Sequence, residues 1–170
     1  MFYLNTFYIY SILGYLLETL CALIFKYNFN SGILYSIWTP IYGIGALTII
    51  IISKYLFRNL HLKRIYETFI VFIIITIILT FIEWLGGTII EKIFNITFWD
   101  YSSHLYHIGK YISLKMSLIW GIGSIFLIYI INPVIEKIIK KIPMYITITL
   151  SILFIIDIIF TTISLTLFHI

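Results

Sequence analysis

Five charged residues lie in stretches of this sequence that are otherwise strongly apolar. Glu18, Glu83 and Asp157 each lie within such a stretch, Glu91 closes the one that holds Glu83, and Lys115 lies early in another. An ionisable side chain near the middle of a bilayer costs at least ~2.5 kcal/mol, so those that are retained usually face a protein interior and serve a purpose. Carboxylates in such a setting bind cations, relay protons or act as general bases, and a lysine can hold a phosphate.

The elements that carry these residues are predicted to be transmembrane helices. The chain of 170 residues is 62% hydrophobic and only 11% charged, with a mean hydropathy of +1.09, unlike a soluble domain. About 20 helical residues span the hydrocarbon layer, and the spanning backbone must satisfy its own hydrogen bonds. We therefore predict an all-α fold, a polytopic integral membrane helical bundle that forms a single transmembrane domain over residues 1–170. The predicted helices lie near residues 3–25, 33–57, 68–91, 112–132 and 145–168.

Pro40 interrupts the second of these stretches, together with Gly43 and Gly45. Proline lacks the backbone N–H that a helix interior requires. Two structures are compatible with this pattern, a kinked helix or a re-entrant segment followed by a shorter helix.

The distribution of Lys and Arg predicts the orientation in a cell membrane. With five spans, the face that carries the amino terminus holds seven of the eleven basic residues, and the other face holds four. By the positive-inside rule the amino terminus is cytoplasmic, and the loop containing FWDYSS, residues 98–103, is extracytoplasmic. Because the basic residues are scattered over short loops, we expect membrane lipids as partners and no nucleic acid.

The unusual residues of the first four helices are predicted to meet in the outer half of the membrane. A rise of ~1.5 Å per residue places Glu18, Pro40 and Glu83 about 13 to 16 Å from the nearest outer loop, and Glu91 and Lys115 about 5 to 7 Å from it. This placement predicts an ion pair of Lys115 with Glu83 or Glu18. The alternative is that the charges only hold helices together, as Asp157 would if neighbouring threonines satisfy it.

The predicted outer loop is rich in aromatic and hydrogen-bonding groups, including Trp99, Asp100, Tyr101 and Ser102. Interfacial aromatic residues are expected in any membrane protein, whereas Asp100 followed by Ser102 is typical of a fixed turn. His104 and His107, with Asp100 and Glu91, give only a weak metal-site pattern, and Ser102, His104 and Asp100 are too close in sequence for a catalytic triad. We predict no metal and no cofactor.

Several motifs in sequence order resemble a family of bacterial membrane proteins, the "putative ABC-transporter type IV" or CmpB-like proteins. The resemblance covers about residues 10–135, with Lys115 where the family often has Arg and Ser113 where it favours Cys. The residues that carry it are Gly14-Tyr15, Glu18, Gly32, Thr39-Pro40-Ile41-Tyr42-Gly43-Ile44-Gly45, Glu83, Glu91, Trp99-Asp100-Tyr101-Ser102, Tyr111-Ile112-Ser113-Leu114-Lys115-Met116-Ser117 and Trp120-Gly121.

Three functions remain open at the level of sequence. The resemblance implies a transport protein, an ABC-permease-like subunit whose outer-half cavity is lined by carboxylates. No Gly-x-x-x-x-Gly-Lys-Ser/Thr loop is present, so ATP would have to be used by a partner ATPase subunit, and a homo-oligomer is an alternative assembly. A membrane-embedded enzyme acting on a lipid or lipid-linked substrate, and a helical scaffold or sensor with structural ion pairs, are the rival functions. The candidate cavity residues are Glu18, Pro40, Tyr42, Glu83, Glu91, Trp99, Asp100, Tyr101, Ser102, Lys115 and Ser117.

Overall fold

The computed structural model describes residues 1–26 and 34–168 and consists almost entirely of helices. Five helical segments are long and apolar enough to cross a membrane, which confirms the predicted all-α polytopic fold. The fourth segment, Leu114–Ile139, combines α4, a five-residue π-helical turn and α5. The elements are α1 Phe2–Phe25, α2 Pro40–Asn59, α3 Arg64–Phe94, β1 His107–Ile108, β2 Ile112–Ser113, α4 Leu114–Phe126, the π turn Leu127–Ile131, α5 Asn132–Ile139 and α6 Met144–Phe168.

The second helix begins at Pro40 and not near residue 33. Proline is favoured at the first position of a helix because its missing N–H would have no partner there. The kinked-helix alternative is therefore wrong. Residues 34–39 are non-helical and precede a shorter helix, as the other alternative requires, while residues 27–33 lie outside the described part.

The fourth predicted helix ends too early, because the segment assigned to a loop after residue 132 is helical as far as Ile139. Pro133 lies near the start of α5 and has no N–H to donate to the carbonyl four residues earlier. The backbone widens into the π turn directly before it, and the N–H of Asn132 donates to the carbonyl of Leu127 five residues back. The wider turn thus carries the helix past the proline.

The chain divides into two compact units, which we call the terminal unit, residues 1–44 with 136–170, and the central unit, residues 45–135. The single domain over the whole chain stays a prediction. In the terminal unit an aromatic cluster forms the core, with Tyr8, Leu34 and Trp38 buried against Phe7 and Phe154. The buried Thr147 of α6 donates to Asn5 of α1 over 2.7 Å.

Asp157 organises the non-helical segment before α2 within the terminal unit. Its Oδ1 accepts the backbone N–H of Tyr35 over 3.2 Å, and its Oδ2 accepts that of Ser36 over 3.0 Å. The hydroxyl of Thr161 donates to Oδ1 over 3.2 Å. A buried carboxylate thus satisfies backbone donors that no helix or strand would satisfy. This agrees with the predicted structural alternative for Asp157.

The central unit is built on the contact between α3 and α4. Val71, Ile75 and Leu79 of α3 are buried with Ile49 of α2. The small residues Ser117, Gly121 and Ser124 of α4 are also buried. Small residues allow two membrane helices to approach closely. This contact positions the polar groups described next.

Candidate functional site

Glu83 is the most deeply buried charged side chain of the central unit, with 4% of its surface exposed. Its Oε1 accepts the hydroxyl of Tyr101 over 2.6 Å. Trp120 of α4 is a further interaction partner of the carboxyl group. Its Oε2 is buried without a hydrogen-bond partner of regular geometry among the described residues. Burying an incompletely paired carboxylate is costly, so this oxygen is a natural position for a proton or a bound cation.

Tyr101 reaches Glu83 because the loop over residues 95–113 folds back along α3. The Tyr101 N–H donates to the carbonyl of Lys110 over 2.7 Å, and its own carbonyl accepts the N–H of His104 over 2.8 Å. The Tyr101 ring stacks on the His104 imidazole, with ring centroids 5.1 Å apart and planes inclined by 16°. The phenol is therefore held in place by both its backbone and its ring.

A chain of hydrogen bonds continues from His104 into the contact between α3 and α4. His104 Nδ1 lies 2.7 Å from the Ser113 hydroxyl, which also accepts the N–H of Met116 and so caps α4. Capping side chains satisfy backbone donors that the first helical turn leaves open. The Ser117 hydroxyl donates to the Ser113 carbonyl over 3.0 Å and accepts that of Thr80 over 2.8 Å.

The length of α3 explains how a loop can contact a residue in the helix interior. Its 31 residues extend about 46 Å, against roughly 30 Å for the hydrocarbon layer. The Tyr111 ring packs on Gly87, where a Cβ atom would lie 2.5 Å from the ring. Since Tyr111 directly precedes α4, that helix starts near the level of Gly87, and the last two turns of α3 extend beyond it. Counting the helix rise from Phe94, the last residue of α3, therefore overestimates the distance between Glu83 and the loop.

The rim of this site is held by charged and aromatic contacts. Glu91 near the end of α3 forms an ion pair with Lys110 in the loop, and hydrogen bonding to Glu91 raises the pKa of Lys110. Trp99 packs edge-on against Tyr111 with ring centroids 5.8 Å apart. Asp100 accepts the N–H of Ser102 over 2.8 Å, and hydrogen bonds from Ser102 lower the pKa of Asp100.

Lys115 does not belong to this cluster. Its side chain is exposed, and the ion pairs found among the described residues do not include it. The predicted ion pair of Lys115 with Glu83 is therefore wrong, whereas its pairing with Glu18 stays a prediction. Lys115 precedes Ser117 by two residues, which corresponds to a rotation of about 200° around the axis of α4, so the two side chains lie on nearly opposite faces. Because Ser117 faces α3, Lys115 faces away from it.

The terminal unit holds a second carboxyl group paired with a tyrosine. Glu18 on α1 is partly buried and forms a hydrogen bond with the Tyr42 side chain in the first turn of α2. The Tyr42 ring lies directly against Gly14, one helical turn before Glu18, where any larger residue would collide with it. Pro40 positions this contact by starting α2. The predicted meeting of Glu18 with Glu83 stays a prediction.

The structure adds residues that were not among the predicted cavity residues. Thr80, His104, Ser113 and Trp120 contact the residues around Glu83 and Ser117. In the described ranges 1–26 and 34–168, no group of three His, Cys, Asp or Glu side chains is arranged to hold a metal ion. The missed signal on α3 is spacing. Thr76, Thr80, Glu83 and Gly87 follow one another at intervals of three or four residues and therefore share one helix face.

Comparison with known proteins gives one result. The model of a family described as putative ABC-transporter type IV matches residues 5–163, nearly the whole chain. No curated protein and no solved structure matches it.

Proposed function

Because the chain belongs to the putative ABC-transporter type IV family of membrane proteins, we propose that it is a permease-like transport subunit in which Glu83 binds the transported cation or proton. One observation carries this proposal: in the part of the chain that the structure describes, the buried Glu83 carboxyl group has one oxygen hydrogen-bonded to Tyr101 and the other without a hydrogen-bond partner of regular geometry. A carboxylate in a low-dielectric setting gains a proton or a cation much more readily than one in water.

Tyr101 supports the same proposal because it connects the Glu83 carboxyl group to the loop. In the structure the Tyr101 hydroxyl donates a hydrogen bond to one oxygen of the Glu83 carboxyl group. A displacement of residues 95–113 would withdraw the phenol and open both oxygens to a cation. Loops that cover binding sites in this way are drawn from the less stable parts of a fold. The Glu91–Lys110 ion pair at the rim would stabilise the closed position.

The test is ion flux through the purified chain in proteoliposomes, followed with a trapped pH-sensitive dye under an imposed membrane potential. Glu83→Gln keeps the shape of the side chain but removes its ionisation. We expect it to lower flux by at least about tenfold, equivalent to losing 1.4 kcal/mol of binding. Glu136→Gln makes the same change in a partly buried carboxylate that pairs with the exposed Lys140 and should leave flux unchanged. Equal flux from Glu83→Gln and the unaltered chain would contradict the role of Glu83. Flux no greater than in empty liposomes would contradict transport by the chain alone and leave only the form that depends on a partner subunit.

A partner ATPase is the proposed source of energy if transport is driven by ATP, since the sequence carries no phosphate-binding loop of its own. Affinity purification from membranes, followed by an ATPase assay on the eluate, tests this assembly. Purification of the chain as a homo-oligomer without ATPase activity would favour the cation- or proton-driven form of the same proposal.

A structural role is the second candidate, favoured by the network from Tyr101 to Thr80, which ties the loop to both α3 and α4. The two functions differ in what Tyr101→Phe does. If the site only holds the loop in place, the loss of one hydrogen bond should lower unfolding free energy by about 1 kcal/mol with no change in flux. If the phenol covers the Glu83 carboxyl group, the same variant should change the pH dependence of flux.

A further inference from the structure

A cavity of about 280 Å³ lies in the central unit at the end of α3 remote from Glu83. It is bounded by the second half of α2, the first residue of α3 and the π turn with the start of α5. Its volume is near the lower end of the range for small-molecule sites. The lining residues are Ile50, Ser53, Lys54, Phe57, Arg64, Ile128, Tyr129, Asn132 and Pro133.

Two cationic side chains line this cavity, Lys54 from α2 and Arg64 from α3. The Arg64 guanidinium carbon lies 4.2 Å from the centre of the Phe57 ring and 5.2 Å from that of Tyr129. A guanidinium group above aromatic rings is held by cation–π attraction while its N–H groups remain available for other acceptors. Arg64 is therefore positioned by the aromatic walls of the cavity.

Glu67 forms an ion pair with Arg64. Its Oε2 lies 3.5 Å from Arg64 Nη1, and its Oε1 accepts the N–H of Leu62 over 3.1 Å. This carboxylate offsets part of the positive charge, but the guanidinium group carries five N–H donors and can bind a second anion at the same time. Lys54, a second cation of the lining, also carries three N–H donors on its ammonium group.

The π turn brings polar side chains to the wall of the same cavity. Turns of this kind are rare and are often found at functional sites. Here the turn places Tyr129 and Asn132 on the cavity wall, and the Tyr129 hydroxyl lies 2.6 Å from that of Thr68 on α3. The distortion of the fourth span thus lies beside the cavity that Lys54 and Arg64 line.

An apolar groove of about 320 Å³ adjoins the cavity and shares Tyr129 with it. Its other lining residues are Phe72, Ile122, Ile125, Phe126 and Ile130. The cavity supplies cations and hydrogen-bond donors, and the adjoining groove supplies an apolar surface. A molecule that matches both has an anionic head and an apolar chain.

We propose that the cavity binds the phosphate group of an anionic phospholipid through Arg64 and Lys54, with an acyl chain of that lipid in the groove beyond Tyr129. The predicted orientation supports this occupant, because the excess of basic residues assigns this end of the helices to the cytoplasmic side. Anionic lipids of the cytoplasmic leaflet bind to basic pockets between transmembrane helices. A soluble phosphate would use the cations but leave the groove empty.

The experiment is native mass spectrometry of the full chain in detergent, with phosphatidylglycerol as the anionic lipid and phosphatidylcholine as the zwitterionic one. We expect phosphatidylglycerol to bind at least about tenfold more tightly, because its head group carries a net negative charge and basic residues attract anionic lipids. The double variant Lys54→Gln/Arg64→Gln should lose this preference. Arg58→Gln/Lys63→Gln removes the same charge from residues that do not line the cavity, and it should keep the preference.

A second variant separates a lipid from a soluble anion and does not depend on the stability of the cation variants. Ile122→Trp fills the groove from an exposed position. It should weaken phosphatidylglycerol binding while leaving any binding of inorganic phosphate unchanged. Equal losses in the two double variants would overturn the proposal in favour of general surface charge. Displacement of the lipid by inorganic phosphate, with no effect of Ile122→Trp, would overturn the lipid assignment.

Discussion

At the scale of single residues, three acids within the apolar segments have neutral donors as hydrogen-bond partners. Glu83 accepts a phenol, Glu18 interacts with another phenol, and Asp157 accepts two backbone N–H groups. A neutral donor costs less to bury than a second charge. The sequence singled out these acids, but the donors to Glu83 from Tyr101 and to Asp157 from Tyr35 and Ser36 come from segments without regular periodicity.

Asp157 provides a stability prediction at this scale. Asp157→Ala removes the acceptor of the Tyr35 and Ser36 N–H groups, and the loss of a hydrogen bond to a charged group costs about 1.5 to 3 kcal/mol. We expect the unfolding free energy, measured by titration with dodecyl sulfate in mixed micelles, to fall by about 2 to 4 kcal/mol.

Asp157→Asn retains one acceptor oxygen and should lose less than Asp157→Ala. Thr162→Ala, at an exposed position on the same helix, should change little. If all three variants unfold at the same dodecyl sulfate concentration as the unaltered chain, the hydrogen bonds of Asp157 do not stabilise the fold.

At the scale of elements, a seam of small and hydroxyl-bearing residues joins α3 to α4. Gly121 of α4 lies directly against Thr76 and Phe72 of α3. Further along the seam, Ser117 contacts Thr80. This seam fixes the level at which α4 starts, and with it the position of the loop that carries Tyr101.

Two glycines of α4 make the packing prediction specific. A Cβ atom at Gly121 would collide with Thr76, whereas one at Gly123 would meet nothing within 4 Å. We expect Gly121→Ala to lower the unfolding free energy by about 1 to 3 kcal/mol, the usual cost of overpacking.

Gly123→Ala should be neutral or slightly stabilising, because alanine favours the helix where space is free. Both values can be measured in the same dodecyl sulfate titration. Equal effects of the two substitutions would show that helix propensity, and not close packing, decides stability at these positions.

At the scale of the whole molecule, the orientation in the membrane determines which leaflet each site meets. The count of seven basic residues against four predicts a cytoplasmic amino terminus and an outer loop over residues 95–113. That orientation places the Glu83 site toward the outside and the Arg64 cavity toward the cytoplasm.

Single-cysteine labelling tests the orientation cleanly, because Cys21 is the only cysteine of the chain. In a Cys21→Ala background, Ser103→Cys should react with an impermeant maleimide in intact cells. Lys141→Cys should react only after the membrane is opened. The reverse pattern would invert the orientation and move the proposed lipid site to the outer leaflet.

The sequence by itself determined that this protein is a polytopic helical membrane protein, because five long apolar segments have no other way to satisfy their backbones. It also placed Pro40 at an interruption and singled out Glu83, Tyr101 and Asp157. It did not place the helix ends at Pro40 and Ile139, where proline chemistry and a π turn override the apolar pattern.

Only the tertiary structure decided which partners the polar residues have. Lys115 has the charge expected of a partner for Glu83, but its direction around α4 turns it away from α3, and the return of the loop brings Tyr101 there instead. Periodicity fixes a residue's face on its own helix, whereas the contact between faces depends on where neighbouring helices start and how closely small residues let them pack.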